Sequence, residues 1–230
     1  METLDNIEVF IDPGEVMRYQ GYQGDLGKLP PAIAETLKTA LEEGQRLARP
    51  RAIYDLLAVR EVAEGSLVLD SGLVLTGESI GRAWRSALYL GVAICTIGPA
   101  LEGKVSGLFG EGDYALSLML DSVGTEAVEN AASRVQDVIC EKASSLDMQV
   151  GIRLSPGERW DLGQQRAIFS LLPAERIGVR LTSHCMMIPQ KSISFCVGAG
   201  REIRTETKAH NCQRCSLKSC RYRRVDAAPV

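Results

Sequence analysis

Residues 88–95 form one apolar run, Leu88-Tyr89-Leu90-Gly91-Val92-Ala93-Ile94-Cys95. A run that is apolar at consecutive positions is typical of a strand that is buried on both faces of a sheet. Residues 113–145 carry apolar side chains at helical spacing and predict the longest helix of the chain, with Asp113 as its N-cap. The chain is therefore expected to combine a buried strand with a long helix.

Shorter elements are predicted on either side of this pair. An alternating pattern predicts a strand at residues 7–12, and a Gly-rich loop follows at 18–22. The spacing of apolar residues after Pro30 and Pro31 predicts an amphipathic helix. Further strands are predicted within 52–76 and at 148–153, 179–181 and 192–198, and further helices at 79–85 and around 168–172. Helices and short strands in no regular βαβ order favour an α+β domain.

Composition excludes several classes of partner. The chain has 230 residues, of which 45% are hydrophobic and 24% charged, so it can bury a full core. Its formal net charge is −3, which gives no overall electrostatic reason to bind nucleic acid or an anionic membrane. No apolar run reaches membrane-spanning length and the N-terminus does not resemble a signal peptide, so we expect a cytoplasmic protein.

The C-terminal tail, residues 201–230, differs in character from residues 1–200 because it is basic and rich in cysteine. Three thiolates at C-x2-C-x4-C spacing can converge on one metal centre, with Cys185 or Cys196 as a fourth ligand. Zinc would make the site a structural clip, a [4Fe–4S] cluster would make it an electron relay, and free thiols remain an alternative. The candidate ligands in the tail are Cys212, Cys215 and Cys220.

Two segments carry residues suited to ligand binding. The first is Arg153-Leu154-Ser155-Pro156-Gly157-Glu158, a strand end that turns at Ser-Pro-Gly. Such a turn can hold a carboxylate bidentately on the guanidinium while the bare backbone approaches a ligand. The second segment, residues 181–194, places polar residues and two methionines between two strand-like runs. Taken alone, each segment indicates only a loop.

Together the two segments resemble the activation domain of cobalamin-dependent methionine synthase and its free-standing relatives. The resemblance rests on the order and spacing of Arg153-x-Ser-Pro-Gly, Gln164-Gln-x-x-x-Phe-x-Leu-Leu and Ile177-Gly-Val-x-Leu-Thr-x-x-x-Met-Met-Ile-Pro-x-Lys-Ser-x-Ser. Further landmarks are Arg18-Tyr19-Gln20-Gly21-Tyr22, Ala52-Ile53-Tyr54 and Asp121-Ser122-Val123-Gly124. The resemblance implies that residues 1–200 form one α+β domain, with a central antiparallel twisted sheet flanked by helices.

In that family the domain binds S-adenosylmethionine. The resemblance implies that Arg153 pairs with the carboxylate of this ligand and that the backbone from Ser155 to Gly157 contacts its adenosyl part. Thr182 and Ser183, in the second segment, are further candidates for ligand contacts.

One position departs from the family pattern. Glu158 stands where the family motif has tyrosine. Trp160, two residues later, is the candidate to supply an aromatic face for the sulfonium cation instead.

The function implied is the reductive methylation of an oxidised Co(II) corrinoid, carried as cobalamin by methionine synthase or another corrinoid methyltransferase. The chain would act as a methyltransferase-associated subunit and receive one low-potential electron from a flavodoxin or a ferredoxin. It needs no general acid or base, since its part is to position the reactants. Two alternatives remain open: a docking or assembly factor that has lost ligand binding, and a zinc-clipped interaction module.

Overall fold

The computed structural model describes residues 1–158 and 160–203. Within these residues, seven antiparallel strands form the main sheet, in the order β4-β3-β2-β5-β9-β6, with β1 also paired to β2. A two-stranded hairpin, β7-β8, stands apart from it. The strands are β1 (Glu2–Asp5), β2 (Arg51–Val62), β3 (Ser66–Leu69), β4 (Val74–Thr76), β5 (Tyr89–Thr96), β6 (Gln149–Leu154), β7 (Arg180–Leu181), β8 (Met187–Ile188) and β9 (Ser192–Gly200).

The apolar run at residues 88–95 becomes the central strand β5. It pairs with β2 on one side and with β9 on the other, and both of its faces are covered. The long strand β2 pairs with β5 along one edge and with two shorter strands along the other. Its first half pairs with β1 and its second half with β3, with a register irregularity between Val59 and Glu61.

Two helices begin directly after aspartate residues that cap them. The longest helix begins after Asp113, whose carboxylate accepts a hydrogen bond from the backbone N–H of Leu116 at 3.2 Å. Asp12 caps the first helix in the same way, through the N–H of Gly14 at 2.7 Å. The helices are α1 (Pro13–Tyr19), α2 (Pro31–Leu47), α3 (Glu78–Trp84), α4 (Ala100–Glu111), α5 (Tyr114–Ser144) and α6 (Gln165–Leu171), with 3-10 turns at Leu26–Lys28, Leu162–Gln164 and Ala174–Ile177.

The core is built on both faces of the sheet. On one face, the C-terminal half of α5 packs against β2, β5 and β9. On the other face, α3, α6 and the turn at Ala174–Ile177 cover β2, β3, β5 and β9. The N-terminal half of α5 packs with α1, α2 and α4 in a helical cluster beside the sheet. Helix α5 thus connects the helical cluster to the sheet.

Two local expectations are wrong. Residues 7–12 do not join the sheet; Ile11 is buried in the helical cluster while Phe10 is 67% exposed. Arg18 and Tyr19 end helix α1 rather than lying in a loop, because Asp12 and Pro13 start a helix just before them. The sequence analysis also missed α4. Its glycines at 103, 107 and 110 weaken the helical pattern, although Leu101 and Leu108 on this helix are buried.

The expected fold class is confirmed: the described residues form one α+β domain with a central antiparallel sheet flanked by helices. None of the helices in the described part of the chain is both long and apolar enough to cross a membrane. The boundary between residues 1–200 and the tail stays a prediction, because all but the first few residues of the tail lie outside the described residues.

Candidate functional site

The position of Arg153 depends on a bulge in the edge strand β6. Val150 pairs with Ala199 and Arg153 pairs with Val197, so that β6 contains one residue more than β9 over this stretch. The bulge places the Arg153 side chain on the face of the sheet that α5 covers. There its guanidinium lies over the ring of Phe195, at 5.4 Å from the ring centroid.

Arg153 forms an ion pair with Glu129 of α5. An Nη atom of the guanidinium lies 3.0 Å from a carboxylate oxygen of Glu129, and the two side chains are 20% and 36% exposed. A pair with this much access to water contributes about 1 kcal/mol or less to stability. The contact orients the guanidinium, and a ligand carboxylate can replace it at small cost.

Further charged side chains from α1 and α5 lie near Tyr19, as Glu129 does. Glu126 lies one helical turn before Glu129 on the same side of α5 and is buried. At the end of α1, the Arg18 guanidinium lies 4.3 Å from the centroid of the Tyr19 ring and 2.9 Å from a carboxylate oxygen of Glu15. Charged groups of both signs from α1 and α5 therefore lie within electrostatic range of Tyr19.

The pKa of Tyr19 depends on these charges. Burial raises the pKa of Tyr19 to about 12, the Glu129 carboxylate adds to the rise, and Arg18 opposes it. The phenol is therefore neutral at physiological pH, when it can still donate a hydrogen bond. The Glu129 carboxylate thus lies close enough to Tyr19 to act on it electrostatically, and it also pairs with Arg153.

Sequence landmarks that are far apart in the chain meet on α5. Gln20, which follows α1, donates a hydrogen bond from its Nε2 to Ser122 Oγ at 2.7 Å. Lys191, which precedes β9, places its Nζ 2.9 Å from Asp121 Oδ1 and donates to Thr125 Oγ1 at 2.9 Å. The quoted segments around residues 20, 121–125 and 191 are therefore explained by their mutual contacts, which fix α5 relative to its neighbours.

The segment after β6 forms the turn that its sequence predicts. The carbonyl of Ser155 accepts a hydrogen bond from the N–H of Glu158 at 3.0 Å, with Pro156 and Gly157 at the two central positions. Gly157 has φ +94°, the left-handed conformation that the second central position of a type II turn requires. Its N–H donates to the carbonyl of Trp160 at 2.8 Å. The Ser155 carbonyl and the Gly157 N–H thus form hydrogen bonds within this segment. A ligand contact at Ser155 or Gly157 stays a prediction.

Trp160 is a core residue in this structure. Its side chain is buried with only 4% of the residue exposed, and its indole N–H donates to the carbonyl of Thr76 at 2.8 Å. The ring makes an edge contact with Trp84, at 5.7 Å between centroids and 86° between planes. Because Trp160 packs on the face of the sheet opposite to α5, it is separated from the Arg153 guanidinium. Its predicted contact with a sulfonium would require a local rearrangement.

Thr182 and Ser183 lie in the tip of the β7-β8 hairpin. The Thr182 hydroxyl accepts a hydrogen bond from the N–H of Met186 at 3.0 Å, and the Ser183 carbonyl accepts one from Arg166 at 2.6 Å. Cys185 is buried in the same tip and has φ 60°. These contacts stabilise the hairpin, and none of them joins it to Arg153.

The predicted metal site is not described by the structure. Cys212, Cys215 and Cys220 lie outside the described residues, so their grouping with Cys185 stays a prediction. Cys185 and Cys196 are both buried and free, and burial raises the pKa of the Cys196 thiol. Among residues 1–158 and 160–203, no group of three or more His, Cys, Asp or Glu side chains is arranged to hold a metal ion.

Of the predicted ligand residues, Arg153 is the one that the structure places in the charged region on the α5 face. Sequence reasoning missed Glu129, and it identified Tyr19 only as part of a landmark. The spacing of Glu126 and Glu129 places two carboxylates on one side of a predicted helix, and this was the available signal. It could not show that this side faces Arg153, since the contact spans 24 residues of chain.

Comparison with solved structures supports the fold. The chain is similar to the crystal structure of the MetH reactivation domain bound to AdoHcy, with a TM-score of 0.59 and 14% sequence identity. The match covers 90% of this chain and 80% of that one. Comparisons with protein-family models and with curated proteins gave no match. The resemblance stated from the sequence is therefore confirmed at the level of the fold.

Proposed function

We propose that this protein binds S-adenosylmethionine and supports the reductive methylation of an oxidised Co(II) corrinoid carried by a partner protein. The observation that carries the proposal is the Arg153–Glu129 pair, a partly exposed guanidinium held beside carboxylates at the edge of the sheet. The support from comparison is the shared fold with a MetH reactivation domain that was crystallised with AdoHcy.

The charges on the α5 face suit the amino-acid part of the proposed ligand. Arg153 can hold a carboxylate with two parallel hydrogen bonds, because its guanidinium has five N–H donors in a planar fork. The carboxylates of Glu126 and Glu129 favour positive charge nearby, and S-adenosylmethionine carries both an ammonium and a sulfonium. The neutral phenol of Tyr19 adds a hydrogen-bond donor without adding charge.

The adenosyl part would be bound by the turn and the hairpin. In this proposal the Ser155 side chain and the exposed backbone at Gly157 approach the ligand, and Thr182 and Ser183 close the other side. Gln165 and Ser194, both within the segments that carry the resemblance, have buried side-chain oxygens without a hydrogen-bond partner among the described residues. Such groups destabilise a fold by about 1–3 kcal/mol each when they remain unpaired. Gln165 belongs to α6 and Ser194 alternates with Phe195 along β9, so both lie on the side of the sheet opposite to α5. They support a polar occupant, water or ligand, on that side and not at the Arg153 guanidinium.

The role of the protein in the reaction is to bring three components together. S-adenosylmethionine supplies a methyl cation, the electron donor supplies one electron, and the Co(II) corrinoid receives both, which leaves S-adenosylhomocysteine and a methylated corrinoid. The protein binds the methyl donor through its own residues and offers a surface on which the corrinoid protein docks. Methionine synthase or another corrinoid methyltransferase is the proposed partner, with flavodoxin or ferredoxin as the electron donor, in the cytoplasm.

The cysteines of the tail have a separate place in the proposal. If Cys212, Cys215 and Cys220 bind a [4Fe–4S] cluster, the tail relays the electron; if they bind zinc, it is a structural clip. Anaerobic purification followed by an absorption spectrum and a metal assay distinguishes the two. The binding of S-adenosylmethionine at Arg153 does not depend on the result.

The decisive experiment mixes the protein anaerobically with a Co(II) corrinoid protein, S-adenosylmethionine and a reductant. We expect methylcobalt absorbance with the wild type and its loss with Arg153→Ala, because the carboxylate then lacks its partner. Arg153→Lys keeps the charge but not the planar fork and should retain part of the activity. Arg46→Ala, which removes an exposed pair on α2, is the control that should leave the reaction unchanged.

A binding measurement separates the proposal from its main alternative. A docking factor that has lost ligand binding, for which Glu158 is the sequence argument, would bind the corrinoid protein but not S-adenosylmethionine. Isothermal titration of the wild type with S-adenosylmethionine decides between the two. Methylation by Arg153→Ala at the wild-type rate would show that the assignment of Arg153 is wrong.

A further inference from the structure

The groove between helices α4 and α5 is open at the surface of the molecule. It has a volume of about 310 Å³, and its apolar lining consists of Val105, Phe109 and Leu118. Phe109 and Leu118 are 57% and 56% exposed. Tyr114 is 55% exposed and makes an edge contact with the Phe109 ring, at 5.0 Å between centroids. Large apolar side chains that remain exposed together are typical of a surface where another protein binds.

The outer side of α4, next to this groove, carries almost no side chains. Gly103, Gly107 and Gly110 follow one another at spacings of four and three residues and therefore share one side of the helix. The buried Leu101 and Leu108 lie on the opposite side. Among the described residues, no atom lies within 4 Å of a Cβ added at any of these glycines, so packing within this part of the chain does not require them. Because glycine allows another backbone to approach closely, the bare side of α4 can lie directly against a second helix.

A charged edge borders the bare side of α4 away from the groove. Lys104 and Glu111 lie seven residues apart, and therefore two helical turns apart, on this edge. Neither side chain has an ion-pair partner among the described residues. Phe109 lies on the other edge, beside α5. The face of α4 thus has a charged edge, a bare centre and an apolar edge.

A second copy of this face matches it when the two α4 helices run antiparallel about a twofold axis. Pairing centred just after Gly107 places Lys104 of one copy opposite Glu111 of the other, and the symmetry produces this ion pair twice. Both charged edges then lie on one side of the helix pair and both apolar edges on the other, so that Phe109 of each copy lies beside the groove of the other. Parallel pairing would instead place each charged edge against an apolar edge. The charges therefore favour the antiparallel pair.

We propose that this protein forms a twofold symmetric dimer through antiparallel α4 helices. The inference does not depend on the proposed function, since Leu118 lies about 16 Å along α5 from Glu129 and the contact does not include the Arg153–Glu129 pair. Helix α4 has 12 residues and is about 18 Å long. A contact of this length lies at the low end of specific interfaces, at about 1,000 Å² in total. The dimer is therefore weak, with a dissociation constant in the micromolar range.

Sedimentation velocity of the full-length protein tests the dimer. Between about 1 µM and about 500 µM, the mass should rise from the monomer value of 25.0 kDa towards twice that value. Gly107→Leu places a large side chain at the centre of the bare side, where a single copy has room for it. This variant should stay folded by circular dichroism and weaken the dimer at least about tenfold.

A charge exchange tests the antiparallel pairing itself. Lys104→Glu replaces two ion pairs by two pairs of like charges and should weaken the dimer at least about fivefold. Combining it with Glu111→Lys restores opposite charges across the interface and should return the dissociation constant to within about twofold of the wild type. Lys38→Glu, at an exposed position on α2, is the control and should leave the dissociation constant unchanged.

Each contrary result overturns the proposal. A protein that stays monomeric over the whole concentration range leaves the groove to a different partner. A dimer that tolerates both Gly107→Leu and Lys104→Glu forms through another surface. A dimer that Lys104→Glu weakens and the exchange does not restore lacks the antiparallel pairing.

Discussion

The replacement of Trp160 by phenylalanine separates a role in the core from a role in ligand binding. The indole N–H of Trp160 donates to the Thr76 carbonyl at 2.8 Å within a buried cluster. Phenylalanine leaves that carbonyl without this donor, at a cost of about 1–3 kcal/mol. The smaller ring also weakens the edge contact with Trp84, which contributes about 0.5–1.5 kcal/mol. We expect a total loss of about 2–3 kcal/mol, or about 5–10 °C in Tm for a domain of this size.

Urea unfolding followed by tryptophan fluorescence and circular dichroism measures this loss, and titration with S-adenosylhomocysteine measures any effect on binding. Trp84→Phe is the matched control, because its indole N–H also donates to a strand carbonyl, that of Ile152 in β6, at 2.9 Å. Both variants should lose similar stability and, once folded, keep the wild-type affinity. If Trp160→Phe unfolds at the wild-type urea concentration but binds the ligand tenfold more weakly, the indole contacts the ligand and the reasoning from the core is refuted.

Two further predictions concern a close backbone approach and a tyrosine. Gly81→Ala should destabilise the protein by about 2–4 kcal/mol in urea unfolding, because the added Cβ would lie 2.4 Å from the carbonyl oxygen of Glu64. Gly103→Ala, in open space on α4, is the control and should stabilise the protein by about 0.5–1 kcal/mol. Equal effects of the two substitutions would contradict the argument. Tyr19 has its pKa raised from 10 to about 12, so its contribution to stability is fully present below pH 10 and is lost as the pH rises towards 12. Urea unfolding between pH 9 and pH 12 should therefore show a smaller loss of stability in Tyr19→Phe than in the wild type, and identical pH profiles would refute the assignment.

The elements that could be predicted from the sequence are those whose signal is local. The cap at Asp113 and the uninterrupted apolar run of β5 depend on neighbouring residues, and both were located within a residue or two. Helix α4 was missed because its glycines weaken the helical pattern, and tertiary packing of Leu101 and Leu108 compensates for this. The short strand β1 gave no clear pattern, since its four residues are stabilised by pairing with β2.

The candidate site was only partly predictable, because its decisive contacts are long-range. The motif identified Arg153, and the Pro-Gly pair predicted the turn that follows it. Neither could indicate Glu129, since residues on different elements meet only after the sheet and α5 have packed. The expected role of Trp160 came from its nearness in sequence to Arg153, but adjacent positions on an edge strand and its turn can face opposite sides of a sheet.

The bulge in β6 decides which side Arg153 faces. With regular alternation from Val150, which packs on the α5 side, Ile152 would lie on that side and Arg153 on the side of Trp84 and Trp160. The extra residue reverses the alternation, so that Ile152 and Leu154 enter the opposite core and Arg153 returns to the α5 side. Deletion of Gly151 would restore regular pairing and leave Arg153 opposite Val197, on the α5 side, so we expect it to keep the ion pair with Glu129. A shift in register that removed the bulge without a deletion would instead turn the guanidinium towards the buried tryptophan cluster, where a charge without a partner is strongly destabilising. The side of the sheet that Arg153 faces, on which its pairing with Glu129 and the proposed site depend, is therefore set by the pairing of Arg153 with Val197.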